Sequence, residues 1–259
     1  MASRKIRDKE TIDLSGQVNF SDLSVLSGFT KMERLYLEDT AVVDLSPIAN
    51  CRQLKVLRLT RSAVKDLSPL ASLTALEELQ LQQTEVDDIS PLAPLVKLKN
   101  LQASYCLFTN IEALINKPNL QRLTLTACPI KDFTPLKQLD ALMLLNLSHT
   151  DFDDCRVLST LLELRNLNVE RTEIADLNGL SALKKLWCLK LIGTHITDYS
   201  ELSELTNLTE LSIGEYLSKE EYGALRGVPV TELNLNWKTL SDEGDVQAFI
   251  NQKNERTEY

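Results

Sequence analysis

One apolar spacing runs along most of the chain. Leucines recur every 22 residues without insertion or deletion, and a second apolar residue follows each of them two positions later. The residues beside them are polar, and this alternation with a period of two is typical of a β-strand. The pattern therefore predicts one short strand per repeat, with about ten repeats in the chain. The repeated leucines are Leu35, Leu57, Leu79, Leu101, Leu123, Leu145, Leu167, Leu189, Leu211 and Leu233.

A repeat of this length predicts a stacked architecture. One unit cannot bury its own apolar side, whereas a stack of units can, and stacking aligns the strands in parallel. We expect residues 31–238 to form the stack. Residues 1–30 are predicted to be an N-terminal cap with an imperfect first repeat, and residues 239–259 a C-terminal capping helix and tail. The apolar residues of the first repeat are Ile12, Leu14, Phe20, Leu23 and Leu26.

Two helices are predicted near the C-terminus. Ser218 and Glu221 have the spacing of a capping box, and Gly227 is a typical helix stop, so residues 219–226 are expected to be helical. Val246, Phe249 and Ile250 then fall at i, i+3 and i+4, the spacing of one helix face. That face is expected to cover the open end of the core.

The repeat resembles the leucine-rich repeat family, in its 22-residue class found in bacterial internalin-like proteins and in a phosphatase regulatory subunit. The motif LxxLxLxx(T/N)x(V/I)xD(L/I)SPLxxL is found, with small variations, at 54–73, 76–95 and 183–202. The resemblance covers about residues 12–238. It implies an α/β fold: a curved right-handed solenoid with a parallel concave β-sheet and a convex side of short turns and 3-10 or α-helices. It also implies that the concave face binds protein.

The equivalent positions of successive repeats form columns, and two of these columns have a residue type whose role can be interpreted in more than one way. The sixth position, usually Asn in the family, is here mostly Thr, Ser or Cys, whose hydroxyl or thiol is expected to donate to a nearby carbonyl. An Asp recurs just before Ser-Pro pairs such as Ser46-Pro47. It is expected to accept backbone N–H bonds, with the Ser capping and the Pro opening a short helical turn. A ladder of cations is the alternative, although one carboxylate per repeat falls short of the six or more oxygens that calcium needs.

Charge narrows the classes of partner. The chain has 28 Lys and Arg against 37 Asp and Glu, a net charge of −9. Because phosphate contacts require a cationic surface, this composition argues against a nucleic-acid partner. No apolar run approaches the roughly 20 residues of a membrane helix, so we expect no membrane insertion. The absence of a visible signal peptide predicts a cytoplasmic protein, or a secreted effector if a leader was removed.

The residues that carry chemistry are few. Cys106 and Cys128 occupy the same column in adjacent repeats, within disulfide reach, but a reducing compartment favours free thiols. His149 and His195 lie in different columns, too far apart to share a metal ion. No nucleotide-binding or zinc-protease motif is present. We therefore predict no enzyme activity, no cofactor and no metal site.

The register of the repeat identifies which side chains face solvent on the predicted sheet. The charge of this side is nearly neutral, because its cations and carboxylates almost balance. Met143, Leu144, Trp187, Cys188 and Ile192 are apolar where other repeats are polar, and they predict an exposed patch. The alternative is that Met143 and Trp187 fold back onto the edge of the core. The predicted partner-binding residues are Tyr36, Arg58, Arg61, Gln80, Gln102, Tyr105, Arg122, Leu144, Asn146, His149, Asn168, Arg171, Trp187, Lys190, Ile192 and Trp237.

These observations predict a non-catalytic module that binds a protein partner on the concave face. One alternative is a regulatory or inhibitory subunit that masks an enzyme or toxin. Another is an internalin-like adhesin or effector directed at a host, and a third is a self-assembling structural module. A monomer is expected rather than an oligomer.

Overall fold

A computed structural model describes residues 10–214, 219–235, 239–240 and 243–255. The chain divides into two compact units, Met1–Ala141 and Leu142–Tyr259. Both are built from the same rung, which consists of a three-residue strand, a tight turn and, in most rungs, a short 3-10 turn before the chain returns to the next strand. The predicted parallel repeat architecture is confirmed, since within each unit the strands form an open, mostly parallel sheet in chain order.

The strands follow the spacing of the leucines. In the first unit they are β1 Thr11–Asp13, β2 Arg34–Tyr36, β3 Val56–Arg58, β4 Glu78–Gln80, β5 Asn100–Gln102 and β6 Arg122–Thr124. In the second unit they are β7 Leu144–Asn146, β8 Asn166–Asn168, β9 Cys188–Lys190, β10 Glu210–Ser212, β11 Glu232–Asn234 and β12 Thr239–Leu240. The strand β12 pairs antiparallel with β11 and was not predicted, because two residues give no periodic signal.

The short 3-10 turns lie across each rung from its strand. In the first unit they span Leu23–Leu26, Ser46–Ile48, Ser68–Ser72, Ser90–Leu92, Glu112–Leu114 and Thr134–Gln138. In the second unit they span Cys155–Leu158, Leu180–Ala182 and Ser200–Glu204.

The core of each unit is a stack of leucines in register. The central residue of each strand faces its equivalent in the next, as in the pairs Leu35–Leu57 and Leu167–Leu189. These leucines are at most 1% exposed. The predicted first repeat is present, because β1 pairs in parallel with β2. Its Ile12 is only half-buried, since it lies at the end of the stack.

Asp side chains hold the start of most 3-10 turns. Asp66 Oδ1 accepts the backbone N–H of Ser68 at 2.8 Å, and the same bond recurs from rung to rung, with Asn110 in the place of Asp in one of them. The predicted role of this column as a backbone acceptor is confirmed. The role assigned to Ser was wrong, because its hydroxyl donates to the Asp carboxylate, as Ser90 Oγ does to Asp88 at 2.7 Å. These two kinds of bond lower the pKa of Asp66.

The row of hydroxyls and thiols satisfies the carbonyls at the ends of the strands. Thr84 Oγ1 donates to the Leu81 carbonyl at 2.7 Å, and the equivalent threonines repeat this bond within their own rungs. Cys128 Sγ instead donates to Ala103 in the preceding rung at 2.9 Å. The hydroxyl of Ser62 is buried in the same row without a hydrogen-bond partner.

Lys117 departs from the pattern and was not singled out from the sequence. It occupies the column of Leu95 and Leu139, and it is 0% exposed. Its stem fills the space of a leucine, while Nζ donates to the Ala93 carbonyl at 2.8 Å. Burial lowers the pKa of this amine, because a charged group loses its hydration there.

The C-terminal helices are α1, Lys219–Ala224, and α2, Glu243–Glu255. Helix α1 is shorter than predicted, and its expected cap Ser218 lies outside the described residues. The predicted apolar face of α2 is confirmed, since Val246 and Ile250 are buried. The rings of Tyr222 and Phe249 meet edge to face at 5.8 Å. No helix in the described part of the chain is long and apolar enough to cross a membrane.

We predict that Lys117→Leu stabilises the protein by roughly 1–3 kcal/mol, because it removes a poorly satisfied buried amine. The unfolded chain binds a proton on Lys117 up to its ordinary pKa of 10.5, whereas the folded protein releases it at lower pH. Stability should therefore rise with pH through that interval, and the substitution should remove this rise. Urea unfolding from neutral to alkaline pH measures both effects. The exposed Lys97→Leu is the control, and a destabilised Lys117→Leu would contradict the prediction.

We also predict that Thr84→Val costs about 1 kcal/mol, since it removes the bond to the Leu81 carbonyl without changing the shape of the side chain. Ser62→Ala in the same row should change stability by less than about 0.5 kcal/mol, because its hydroxyl makes no bond to lose. Chemical denaturation of the two variants is the measurement. Equal losses would show that the hydrogen bond contributes nothing.

Candidate functional site

The sheet exposes one surface to solvent. We call this surface the strand face: it is formed by the first and third residues of the strands, together with the residue before each strand and the second and third residues after it. The central leucines point away from it into the core. The predicted partner-binding residues within the described part of the chain all lie on this surface. Trp237 lies outside the described residues.

In the unit Met1–Ala141, two arginines of the strand face, Arg58 and Arg61, are paired within the chain. Arg61 makes two bonds to Asp39, Nε to Oδ1 and Nη2 to Oδ2, both at 2.6 Å. Arg58 Nε donates to Glu78 Oε1 at 3.1 Å, and its guanidinium carbon lies 4.9 Å from the centre of the Tyr36 ring. The bond from Arg61 lowers the pKa of Asp39. These cations therefore already have anionic partners.

Amide side chains extend this network across the same unit. Gln80 Nε2 donates to Glu78 Oε1 at 2.9 Å. Thr60 Oγ1 donates to Gln82 Oε1 at 2.8 Å, and Gln82 in turn donates to Gln102. Neighbouring rungs are thus joined by side-chain bonds as well as by the backbone ladder. Of the remaining predicted residues in this unit, Tyr105 is 54% exposed and Arg122 is also exposed.

A row of residues with left-handed backbone conformation borders the strand face on one side. Arg61, Tyr105, His149 and Arg171 have φ between 53° and 60°, as do the equivalent residues of other rungs. This conformation turns the backbone sharply after the strand, and it disfavours any residue with a Cβ atom. The sequence did not lead us to this row. The sequence feature that could have indicated this row is Gly193, which occupies the equivalent position of its own rung and has φ 74°.

In the unit Leu142–Tyr259, the strand face has apolar side chains at its surface. Trp187, directly before β9, is 40% exposed, so the alternative that it folds onto the core is wrong. Met143, Leu144 and Ile192 are half-buried. The prediction that Cys188 is exposed was also wrong, since it is 2% exposed. Burial, followed by the nearby Glu210 charge, raises the pKa of its thiol to about 12.

On the strand face of this unit, Lys190 and Arg171 are less firmly paired than Arg58 and Arg61 are in the first unit. Lys190 Nζ lies 3.7 Å from Glu210 Oε1, beyond hydrogen-bond distance. Among the described residues, Arg171 makes no ion pair or side-chain hydrogen bond. A Cβ atom added to Gly193 would lie 3.0 Å from Arg171 Cγ, so the missing side chain leaves room for the arginine stem.

A small cavity opens on the strand face between β7, β8 and β9. Its volume is about 170 Å³. It is lined by Leu144, Leu145, Asn146, Asn166, Leu167, Asn168, Cys188 and Lys190. Two of its amides are fixed by the backbone, because Asn146 Oδ1 accepts the N–H of Ser148 and Asn168 Oδ1 that of Glu170, each at 2.9 Å.

Comparison with solved structures agrees with the repeat geometry described above, although two other comparisons found no match. No family model matches the chain, and no curated protein matches it. Solved structures do match. An internalin from Listeria monocytogenes superposes with a TM-score of 0.77 at 29% identity, over 81% of this chain and 62% of that one. This chain has a leucine-rich repeat fold.

Two further structures support the assignment. Internalin C2 of L. monocytogenes matches with a TM-score of 0.64 at 28% identity, over 67% of this chain and 76% of that one. A leucine-rich repeat protein of Leptospira interrogans matches with a TM-score of 0.83 at 21% identity, over 90% of this chain and 62% of that one. This chain therefore spans less than two thirds of the length of two of these three structures.

Among the residues that the structure describes, those suited to catalysis or metal binding do not converge on the leucine-rich repeat surface. His149 is exposed, and His195 Nε2 lies 3.4 Å from Glu173 Oε2 at an exposed position. Within the described ranges, no group of three or more His, Cys, Asp or Glu side chains is placed to hold a metal ion. This surface offers apolar area, amide donors and cations, alongside carboxylates such as Glu78 and Glu210.

All five cysteines are free and buried. Burial raises the pKa of Cys128, Cys155 and Cys188 to about 12, because a thiolate would lose its hydration. We therefore predict almost no reaction with a thiol-specific disulfide reagent in the native protein at neutral pH, and five equivalents of reaction in denaturant. Rapid labelling of any of these thiols before unfolding would contradict the structure.

Proposed function

We propose that the chain is a non-catalytic module that binds a protein partner on the strand face of the unit Leu142–Tyr259. The observation that carries the proposal is the exposed Trp187 on the same face as the unpaired Arg171. Trp187 precedes β9 and Arg171 follows β8, so they border the face on opposite sides. Tryptophan and arginine are the residue types most enriched at interface hot spots.

The ion pairs of Arg58 and Arg61 in the other unit support this location. A partner that engaged Arg58 or Arg61 would compete with the bonds to Glu78 and Asp39. Binding by Arg171 breaks no ion pair among the described residues. The half-buried Leu144 and Ile192 add apolar area to the same surface, and clustered apolar exposure on a folded protein usually marks a contact site.

The likeness to internalins favours a second candidate, an exported internalin-like adhesin or effector. A regulatory or inhibitory subunit that masks an enzyme or toxin would use the same surface. A monomer fits both candidates, since the partner occupies the face.

We propose a cytoplasmic location, which the buried free thiols support, because a reducing compartment keeps thiols in this state. Cell fractionation with an antibody to the chain distinguishes this location from export. Recovery in the medium would favour the internalin-like candidate.

The proposed interface is tested by affinity capture from the native cell, followed by binding measurements with the purified partner. We predict that Trp187→Ala and Arg171→Ala each weaken binding by about 10-fold or more, the scale of hot-spot residues. Leu162→Ala and Arg156→Ala are matched controls, since both side chains are exposed away from the strand face. Unchanged affinity in both test variants would refute the location of the interface.

A further inference from the structure

The cavity between β7, β8 and β9 is rich in hydrogen-bond donors. The Oδ1 atoms of Asn146 and Asn168 each accept a backbone N–H group, and these bonds fix which end of each carboxamide carries the Nδ2 donor. Asn168 Nδ2 is partly used by Glu170 at 3.2 Å. Among the described residues, Asn146 Nδ2 makes no hydrogen bond. The backbone therefore fixes these amides in a donating orientation.

Lys190 adds a positive charge to the same cavity. Its only near anion among the described residues is Glu210, at 3.7 Å, which leaves its ammonium donors without a close acceptor. Carboxylates are the acceptors that pair most strongly with an ammonium group, because both partners are charged. The donors of this cavity are thus complementary in charge to an acidic group.

The rest of the lining is compatible with an anion. Leu144 supplies an apolar wall, and the Cys188 thiol stays protonated at neutral pH because its pKa is raised to about 12. The volume of about 170 Å³ has room for one short side chain, and none of the lining residues is acidic.

A larger depression, of about 590 Å³, lies beside Lys117, but its chemistry is less suited to an anion. Its lining includes the carboxylate of Asp140, and the Lys117 amine is bonded to the Ala93 carbonyl.

We propose that the cavity between β7, β8 and β9 receives an acidic side chain, Asp or Glu, of the protein partner, with Lys190 Nζ and Asn146 Nδ2 as its donors. This inference rests on the proposed function, and it adds the chemistry of the segment that is bound. The carboxylate takes the open donors of Lys190, and Leu144 and Trp187 contact apolar residues beside it in the partner.

The test uses the full chain and two small probes, N-acetyl-glutamate α-amide and its neutral counterpart N-acetyl-glutamine α-amide. We expect the acidic probe to shift the side-chain amide resonances of Asn146 and Asn168 in NMR titrations, with a dissociation constant in the millimolar range. The neutral probe should bind at least about 10-fold more weakly, the factor expected for one charge-assisted bond. Lys190→Met should abolish the shifts. Lys185→Met removes the same charge from a lysine already paired with Glu163 at 2.6 Å, and it should leave them unchanged.

Three results would overturn the proposal: no shifts with the acidic probe, equal shifts with both probes, or shifts that persist in Lys190→Met. Each of them leaves the strand-face interface itself standing, because that interface is judged by the affinity of Trp187→Ala and Arg171→Ala for the partner. Conversely, unchanged partner affinity in Trp187→Ala and Arg171→Ala, together with binding of the acidic probe, would refute the proposed interface while the cavity still bound a carboxylate.

Discussion

The parallel pairing of equivalent leucines is the constraint on which the rest of the structure depends. Leu57 pairs with Leu35 on one side and with Leu79 on the other, and each of these side chains is 0% exposed. A shift of one residue in any strand would turn its leucine to solvent and a polar residue to the core. The 22-residue spacing keeps every rung in this register, so each column of the repeat has a defined environment.

Many polar side chains of the repeat form hydrogen bonds with the backbone of the same chain and are therefore not available to a partner. Three-residue strands leave many carbonyl and N–H groups outside the ladder, and buried backbone groups must be paired. Thr84 satisfies the end of a strand, and Asp66 satisfies the start of a 3-10 turn. Part of the acidity of the chain is therefore scaffold chemistry. This is why its net charge of −9 does not imply a basic partner.

The two units use the same fold with different surfaces. Arg61 and Asp39 neutralise each other across adjacent rungs of the first unit. Arg171 occupies the equivalent position in the second unit, where the preceding rung has His149 in the place of Asp39, so that this rung offers no carboxylate at that position. One substitution in the neighbouring rung thus changes an internally paired arginine into one available to a ligand. The fold places such residues at fixed positions, and the choice of side chain decides whether they bind each other or a partner.

The sequence by itself determined the rung, its register and the residues that face solvent, because the leucine spacing repeats without interruption and strand side chains alternate between two faces. It also identified Trp187 as an exception to its column. Only the tertiary structure decided how polar side chains are shared between rungs. The column of Cys188 predicts exposure, whereas in the folded chain it is buried near Glu210 of the adjacent strand. The partners of Arg58 and Arg61 depend on distances between rungs, and the bond of Lys117 depends on a carbonyl of the preceding rung. Periodicity places a residue on a face, whereas its exposure and its partners are properties of the neighbours that packing brings to it.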